Sequence, residues 1–171
     1  MDMGRRTLFG LRLLVVEDDD DTREVLALGL SLYGADVVAV RSAAEAIVAL
    51  EKRIPDVILS DIGLPDEDGL ELIRRIRAMP PSRGGRVPAV AVTAYTLGDD
   101  AAEVTRAGFQ WHFRKPVDTK ALFGAVAALA RSGRVERRRV ARRRHAPPLR
   151  AERPGNSERR TDTERRTMDL A

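Results

Sequence analysis

Asp56-Val-Ile-Leu-Ser-Asp-Ile-Gly-Leu-Pro-Asp-Glu-Asp-Gly69 is the stretch whose reading decides the fold. It opens with Val57-Ile58-Leu59, a run short enough for a strand and β-branched enough to favour one. An apolar run without alternation predicts a strand covered on both faces, as in a parallel sheet. Ser60-Asp61 ends the run, and Gly63, Pro65 and Gly69 turn the chain into a loop. Asp61 therefore stands at the C-terminal end of a buried parallel strand, where open α/β sheets bind ligands. On this segment alone a plain strand-end cap explains it equally well.

Working outward, the same pattern recurs. Leu13-Leu14-Val15-Val16 predicts a strand that runs straight into five acids, Glu17 to Asp21. Asp20 and Asp21 suit the N-terminal turn of a helix opened by Thr22 and running through Tyr33, where the dipole favours anions. Glu17 and Asp18 follow the strand too closely for that role. Gly34 stops the helix, and Asp36 to Val40 forms a strand. Ser42 caps the next helix, which runs through Arg53 with Glu45 completing a capping box. Gly69 to Met79 reads as a helix with separate apolar and basic faces. Pro88 to Thr93 is a strand ending in a hydroxyl, Asp99 to Ala107 a short helix, and Gln110 to Arg114 a strand ending at Lys115-Pro116. Asp118 or Thr119 caps a last helix through Leu122, Phe123, Val126 and Leu129. Strands alternating with helices in this way predict an α/β fold, a doubly wound parallel sheet of five strands.

Composition bounds the rest. Of 171 residues 43% are hydrophobic, enough for one proper core. The chain has no cysteine, which excludes disulfides and thiol chemistry and fits a reducing cytoplasm. Two histidines, His112 and His145, are too few for a typical zinc site. Arg5-Arg6 resembles a twin-arginine export signal, but the apolar run behind it contains Arg12 and ends in acids. No segment is long and apolar enough for a transmembrane helix.

The net charge of +4 conceals a division. Residues 1–130 hold 16 Lys and Arg against 20 Asp and Glu, while residues 131–171 hold 14 against 6. All seven aromatic residues lie at or before Phe123. The organisation expected is a leader over 1–10, a globular domain over 11–130, and an arginine-rich tail over 131–171, disordered or partly helical.

Glu17-Asp18, Asp61, Thr93 and Lys115 end four of the five expected strands. In a doubly wound sheet these ends share one edge, so their side chains can converge. With Leu-Val-Val-Glu-Asp at 14–18, Ser-Asp-Ile-Gly-Leu-Pro at 60–65, Gly69, Val-Thr-Ala at 92–94 and Lys-Pro at 115–116, the sequence resembles the receiver domain of two-component response regulators. It is close to the single-domain chemotaxis type, and the resemblance covers residues 11–130.

The resemblance implies a flavodoxin-like sheet of order 2-1-3-4-5 and a phosphorylation-activated response regulator. A sensor histidine kinase or phosphotransfer protein would donate a phosphoryl group to Asp61, with Thr93 and Lys115 completing the catalytic set. Mg²⁺ would be held by Asp18, Asp61 and the Gly63 backbone carbonyl, with Glu17 in the outer shell. Crowded carboxylates repel one another without a cation, and magnesium favours such oxygen donors. Thr93 would serve as a switch with His112, at the place where the family carries an aromatic side chain. Trp111 and Phe113 would pack on the other face as core residues, while Gly63 and Tyr95 would flank the phosphoryl group. The protein would be cytoplasmic, not an enzyme in the ordinary sense, and would act on an unnamed downstream protein.

Other readings are a regulator whose arginine-rich tail binds nucleic acid, or a receiver split from a hybrid sensor kinase. The tail lacks aromatic residues for stacking on bases, so any affinity for polyanions would be weak and nonspecific. Met1 and the short leader favour an independent product over a split module. A flavodoxin-type cofactor protein would need phosphate-binding Ser, Thr or Gly where Glu17 to Asp21 stand.

Overall fold

The structure, a computed structural model, describes residues 7–94 and 101–144. Five strands and five helices alternate along it: β1 (Arg12–Val16), α1 (Asp20–Leu32), β2 (Asp36–Val40), α2 (Ala43–Lys52), β3 (Val57–Ser60), α3 (Gly69–Arg77), β4 (Ala89–Thr93), α4 (Ala101–Ala107), β5 (Trp111–Arg114) and α5 (Thr119–Arg144). A short 3₁₀ turn, Pro81–Arg83, precedes β4. All strand pairings are parallel, and the sheet order is β2-β1-β3-β4-β5. The expected doubly wound fold is the observed one.

Alternate residues of each central strand enter opposite cores, because side chains alternate across a sheet. Leu14, Val16, Ile58, Ala89 and Ala91 pack with Ile47, Leu50, Leu72, Ile73, Ile76 and Val104 beneath α2, α3 and α4. Leu13, Val15, Val57, Leu59, Val90 and Val92 pack with Leu26, Leu30, Leu122 and Val126 beneath α1 and α5. Each such aliphatic side chain contributes about 1.5–3 kcal/mol by leaving water. The unbroken apolar runs of the sequence are these doubly covered strands.

Local caps refine the expected boundaries. Asp19, not Thr22, caps α1: its side chain accepts the Thr22 amide at 2.8 Å. Ser42 caps α2 through the Glu45 amide, as expected. The return bond from Glu45 goes to the Arg41 amide at 3.0 Å, one residue earlier than a capping box requires. Asp118 accepts from the amides of Lys120 and Ala121 at the start of α5.

Two segments flank the expected domain of residues 11–130. Leu8 is fully buried in the α1/α5 core, and its amide donates to the Tyr33 carbonyl at 3.1 Å. Leu8 therefore belongs to the packed body, while Thr7, Phe9 and Gly10 around it are exposed. At the other end α5 continues without a break to Arg144. The rest of the tail, and the Asp99 start expected for the fourth helix, lie outside the described residues.

Trp111 departs from the expected core position. It is 51% exposed and stacks on Phe113 with ring centroids 6.4 Å apart. β5 is an edge strand, so its first residue has a neighbour on one side only; Phe113, deeper along it, is half-buried against the α1/α5 core.

Candidate functional site

The C-terminal ends of β1, β3, β4 and β5 meet at one edge of the sheet, and register fixes how. Val16 pairs with Ser60 across β1 and β3, and Thr93 with Arg114 across β4 and β5. One residue further on, the Asp61 amide donates to the Val16 carbonyl and the Lys115 amide to the Thr93 carbonyl, both on adjacent strands. The ladders thus continue just past the strands and aim Glu17, Asp61 and Lys115 into a shared space. Thr93 is fully buried beside them.

Lys115 occupies the centre. Its Nζ lies 2.6 Å from Asp61 Oδ2 and 2.8 Å from Glu17 Oε2. Glu17 is 1% exposed and Asp61 8%, whereas Asp18 faces solvent. One carboxylate oxygen from each of Glu17, Asp18 and Asp61 falls within 4.8 Å of the others. Burial pushes the Glu17 carboxyl up, the Lys115 ammonium pulls it back, and the Asp61 charge raises it again; the balance stays above the usual carboxylate range. Burial works against the Lys115 ammonium, but Asp61 and Glu17 outweigh it and hold the lysine above its ordinary value.

The loop after β3 is built tightly against Asp61. Asp61 Oδ1 accepts the Gly63 amide at 3.1 Å, and the Gly69 amide donates to the Ile62 carbonyl at 2.8 Å. A Cβ on Gly69 would overlap the Asp61 carbonyl oxygen and come within 2.8 Å of Ile62 Cα. Only glycine lets α3 start this close to the strand end. Ser60 Oγ donates to the Asp61 carbonyl, so that backbone group is satisfied despite its burial.

Two further contacts support the site and went unread in the sequence. Arg23, on α1, donates to the carbonyls of Glu17 at 2.9 Å and Asp18 at 3.2 Å and also pairs with Asp20. It thereby fixes the backbone on which two of the clustered acids stand. Asp66 accepts from the amides of Ala43 and Ala44, both at 3.2 Å, tying the β3–α3 loop to the start of α2. The only sequence signal for Arg23 is its place three residues after Asp20; for Asp66 there is none.

The remaining expected residues are placed as follows. His112 pairs with Ala91 on the face of the sheet that also carries Thr93, and it is exposed. Gly63 stands beside Asp61, while Tyr95 lies outside the described residues.

The donors suit a hard divalent cation. Glu17 and Asp61 share one ammonium, Asp18 adds a third carboxylate to the cluster, and every converging acid ligand is oxygen. That is magnesium's preference, in a site open on the Asp18 side.

Residues 13–127 match the response regulator receiver domain. This chain belongs to that family. An uncharacterized 14.6 kDa protein of Leptolyngbya boryana is 40% identical over 121 residues, 71% of this chain and 91% of its own length. The virulence transcriptional regulatory protein PhoP of Salmonella typhimurium is 37% identical over 121 residues, and this receiver spans only 52% of it. Among solved structures, the receiver domain of the sensor histidine kinase PA1611 from Pseudomonas aeruginosa PAO1 has a magnesium ion coordinated in its active-site cleft. It is 31% identical with a TM-score of 0.64, over 71% of this chain and 98% of that one. The chemotaxis response regulator CheY4 of Vibrio cholerae shares the fold, with a TM-score of 0.64 at 24% identity over 70% and 98% of the two chains. Among the described residues of the receiver, no helix is long and apolar enough to cross a membrane.

Proposed function

We propose that this receiver is a cytoplasmic, phosphorylation-activated response regulator whose acceptor is Asp61. The observation that carries this reading is Lys115 Nζ held between Asp61 and Glu17, with Asp18 in the same cluster. A carboxylate oxygen of Asp61 attacks the phosphorus of a phosphohistidine on a histidine kinase or phosphotransfer protein. The O–P bond forms, the P–N bond breaks, and its electron pair returns to the imidazole, leaving an acyl phosphate. Phosphoryl transfer asks chiefly for positioning and charge neutralisation. Asp18, Asp61 and the Gly63 carbonyl would hold Mg²⁺, with Glu17 behind them, and the cation supplies positive charge to the phosphoryl oxygens.

The chain's own residues do the rest. Gly63 and Gly69 fix the carboxylate's orientation. Lys115 exchanges its Asp61 contact for a phosphoryl oxygen, acting as a point charge. Thr93 donates its hydroxyl to the same group, and the space it vacates is taken by His112 from the neighbouring strand. Lys115 and Thr93 thus bind differently in the two states, which is what a ligand-driven shift requires. The protein catalyses only its own phosphorylation and dephosphorylation and passes the signal on by a changed protein-binding face.

The test is incubation with a small-molecule phosphodonor and Mg²⁺. One phosphate should be added, labile to base and hydroxylamine, and Asp61→Asn should take up none. A label that persists in that variant would refute the assignment.

A further inference from the structure

The unused feature of this molecule is the far end of α5. The helix starts at the Lys115 edge of the sheet and crosses to the opposite edge. There Arg134 donates to the Asp56 carboxylate, Nε at 3.2 Å and an Nη at 3.0 Å, and to the Gly10 carbonyl at 2.6 Å. Gly10 lies two residues before β1 and Asp56 one before β3, so at Arg134 the helix has run out of sheet to cover. It nevertheless continues from Val135 to Arg144, about 15 Å further.

Residues 131–144 hold eight arginines against one acid, Glu136. Arg134 and Arg138, Arg138 and Arg142, and Arg139 and Arg143 are like charges four apart, which oppose the helix unless an anion relieves them. At this edge, among the described residues, Asp36, Glu51 and Asp56 already pair with Arg12, Arg53, Arg83 and Arg134.

We propose that the α5 extension is a duplex-DNA-binding helix that grips phosphates without reading sequence. Duplex DNA fits this helix on three grounds. Every cation after Lys120 is arginine, whose planar guanidinium meets phosphate in a bidentate way. A membrane surface would need an apolar face, but Val135 and Val140 stand five residues apart, roughly 140° around the axis. A projecting single helix fits the DNA major groove of about 12 Å, whereas the major groove of duplex RNA is too narrow. Residues 135–144 contain no Asn or Gln with which to read adenine. This function is separate from the acid cluster, which lies at the other end of the strands.

The experiment uses the full chain and two unrelated fluorescent 20-base-pair duplexes, read by polarisation at about 50 and 200 mM salt. With roughly five phosphates neutralised, both duplexes should bind within about twofold of each other and lose a few hundredfold in affinity between the two salts. A variant carrying Arg138→Gln, Arg139→Gln, Arg142→Gln and Arg143→Gln keeps good helix formers. It should bind at least tenfold more weakly with a shallower salt slope, by about one per arginine that meets a phosphate. Its Mg²⁺ affinity, measured separately, should equal that of the parent, which shows an intact domain. No binding at low salt, undiminished binding by the variant, or a tenfold preference for one duplex would overturn the proposal. So would tighter binding to phosphatidylglycerol vesicles than to either duplex at the same salt.

Discussion

Lys115 is the residue on which the charge balance turns. It neutralises part of a triacid cluster, so in the absence of metal it occupies the position that a divalent cation would contest. Lys115→Ala should therefore leave Mg²⁺ affinity unchanged or raise it, because a competing ammonium has gone. The same variant should lose the phosphorylation-dependent change in amide NMR shifts around β4 and β5. A drop in Mg²⁺ affinity would mean that the lysine builds the metal site rather than answering the phosphoryl group. Gly69 makes the complementary case, since its requirement is steric. Gly69→Ala sets a methyl against the Asp61 carbonyl and Ile62, so overpacking of about 1–3 kcal/mol is expected. Chemical denaturation should read that loss, and phosphorylation should slow with it because Asp61 is displaced. Unchanged stability would show that the loop has room to move.

At the scale of elements, the strands were legible and many of their ties were not. Val57-Ile58-Leu59 and Leu13 to Val16 announce themselves because both faces of each strand are covered. Trp111 misled because an aromatic residue in a strand reads as core, while its position on the sheet edge is a property of the topology. The convergence of Glu17, Asp18, Asp61, Thr93 and Lys115 was legible because strand ends in one sheet must gather at one edge. Arg23, Asp66 and Arg134 were missed because the groups they bind are set by loop paths; Arg134 and Asp56 stand 78 residues apart. Asp66 offers a check on such a tie. Its slight burial would raise the carboxyl, but the amides of Ala44 and Ala43 hold it below the usual carboxylate range. A depressed folded value means that the contribution is complete above the unfolded value and disappears as pH falls through the folded one. Asp66→Ala should thus cost about 1 kcal/mol near neutrality, as a lost cap does. The gap between variant and parent should close on acidification, and a pH-independent gap would remove the carboxylate from the explanation.

The whole molecule is an acidic edge and a basic helix end held apart by one sheet. The acid edge carries a cost in the metal-free protein, since Glu17 and Asp61 are buried together and Asp18 adds a third charge near them. Folding alone creates this crowding, because the three residues come from two strands that meet only in the native sheet. A divalent cation that binds the folded cluster must therefore stabilise the fold by mass action. At about one hundred times its dissociation constant, Mg²⁺ should contribute about 2.7 kcal/mol and raise Tm by several degrees. Asp18→Ala separates this linkage from general salt effects, because it removes one proposed ligand and one repelling charge at once. The variant should melt at or above the parent without Mg²⁺, yet gain little when Mg²⁺ is added. Arginine-rich residues 131–171 should not enter, since they carry 14 cations against 6 acids and a divalent cation has little to bind there. Thermal melts of both proteins across a Mg²⁺ series, at constant ionic strength, decide the matter. Equal Mg²⁺-dependent gains in parent and variant would show that Asp18 is surface decoration and that the cation acts elsewhere.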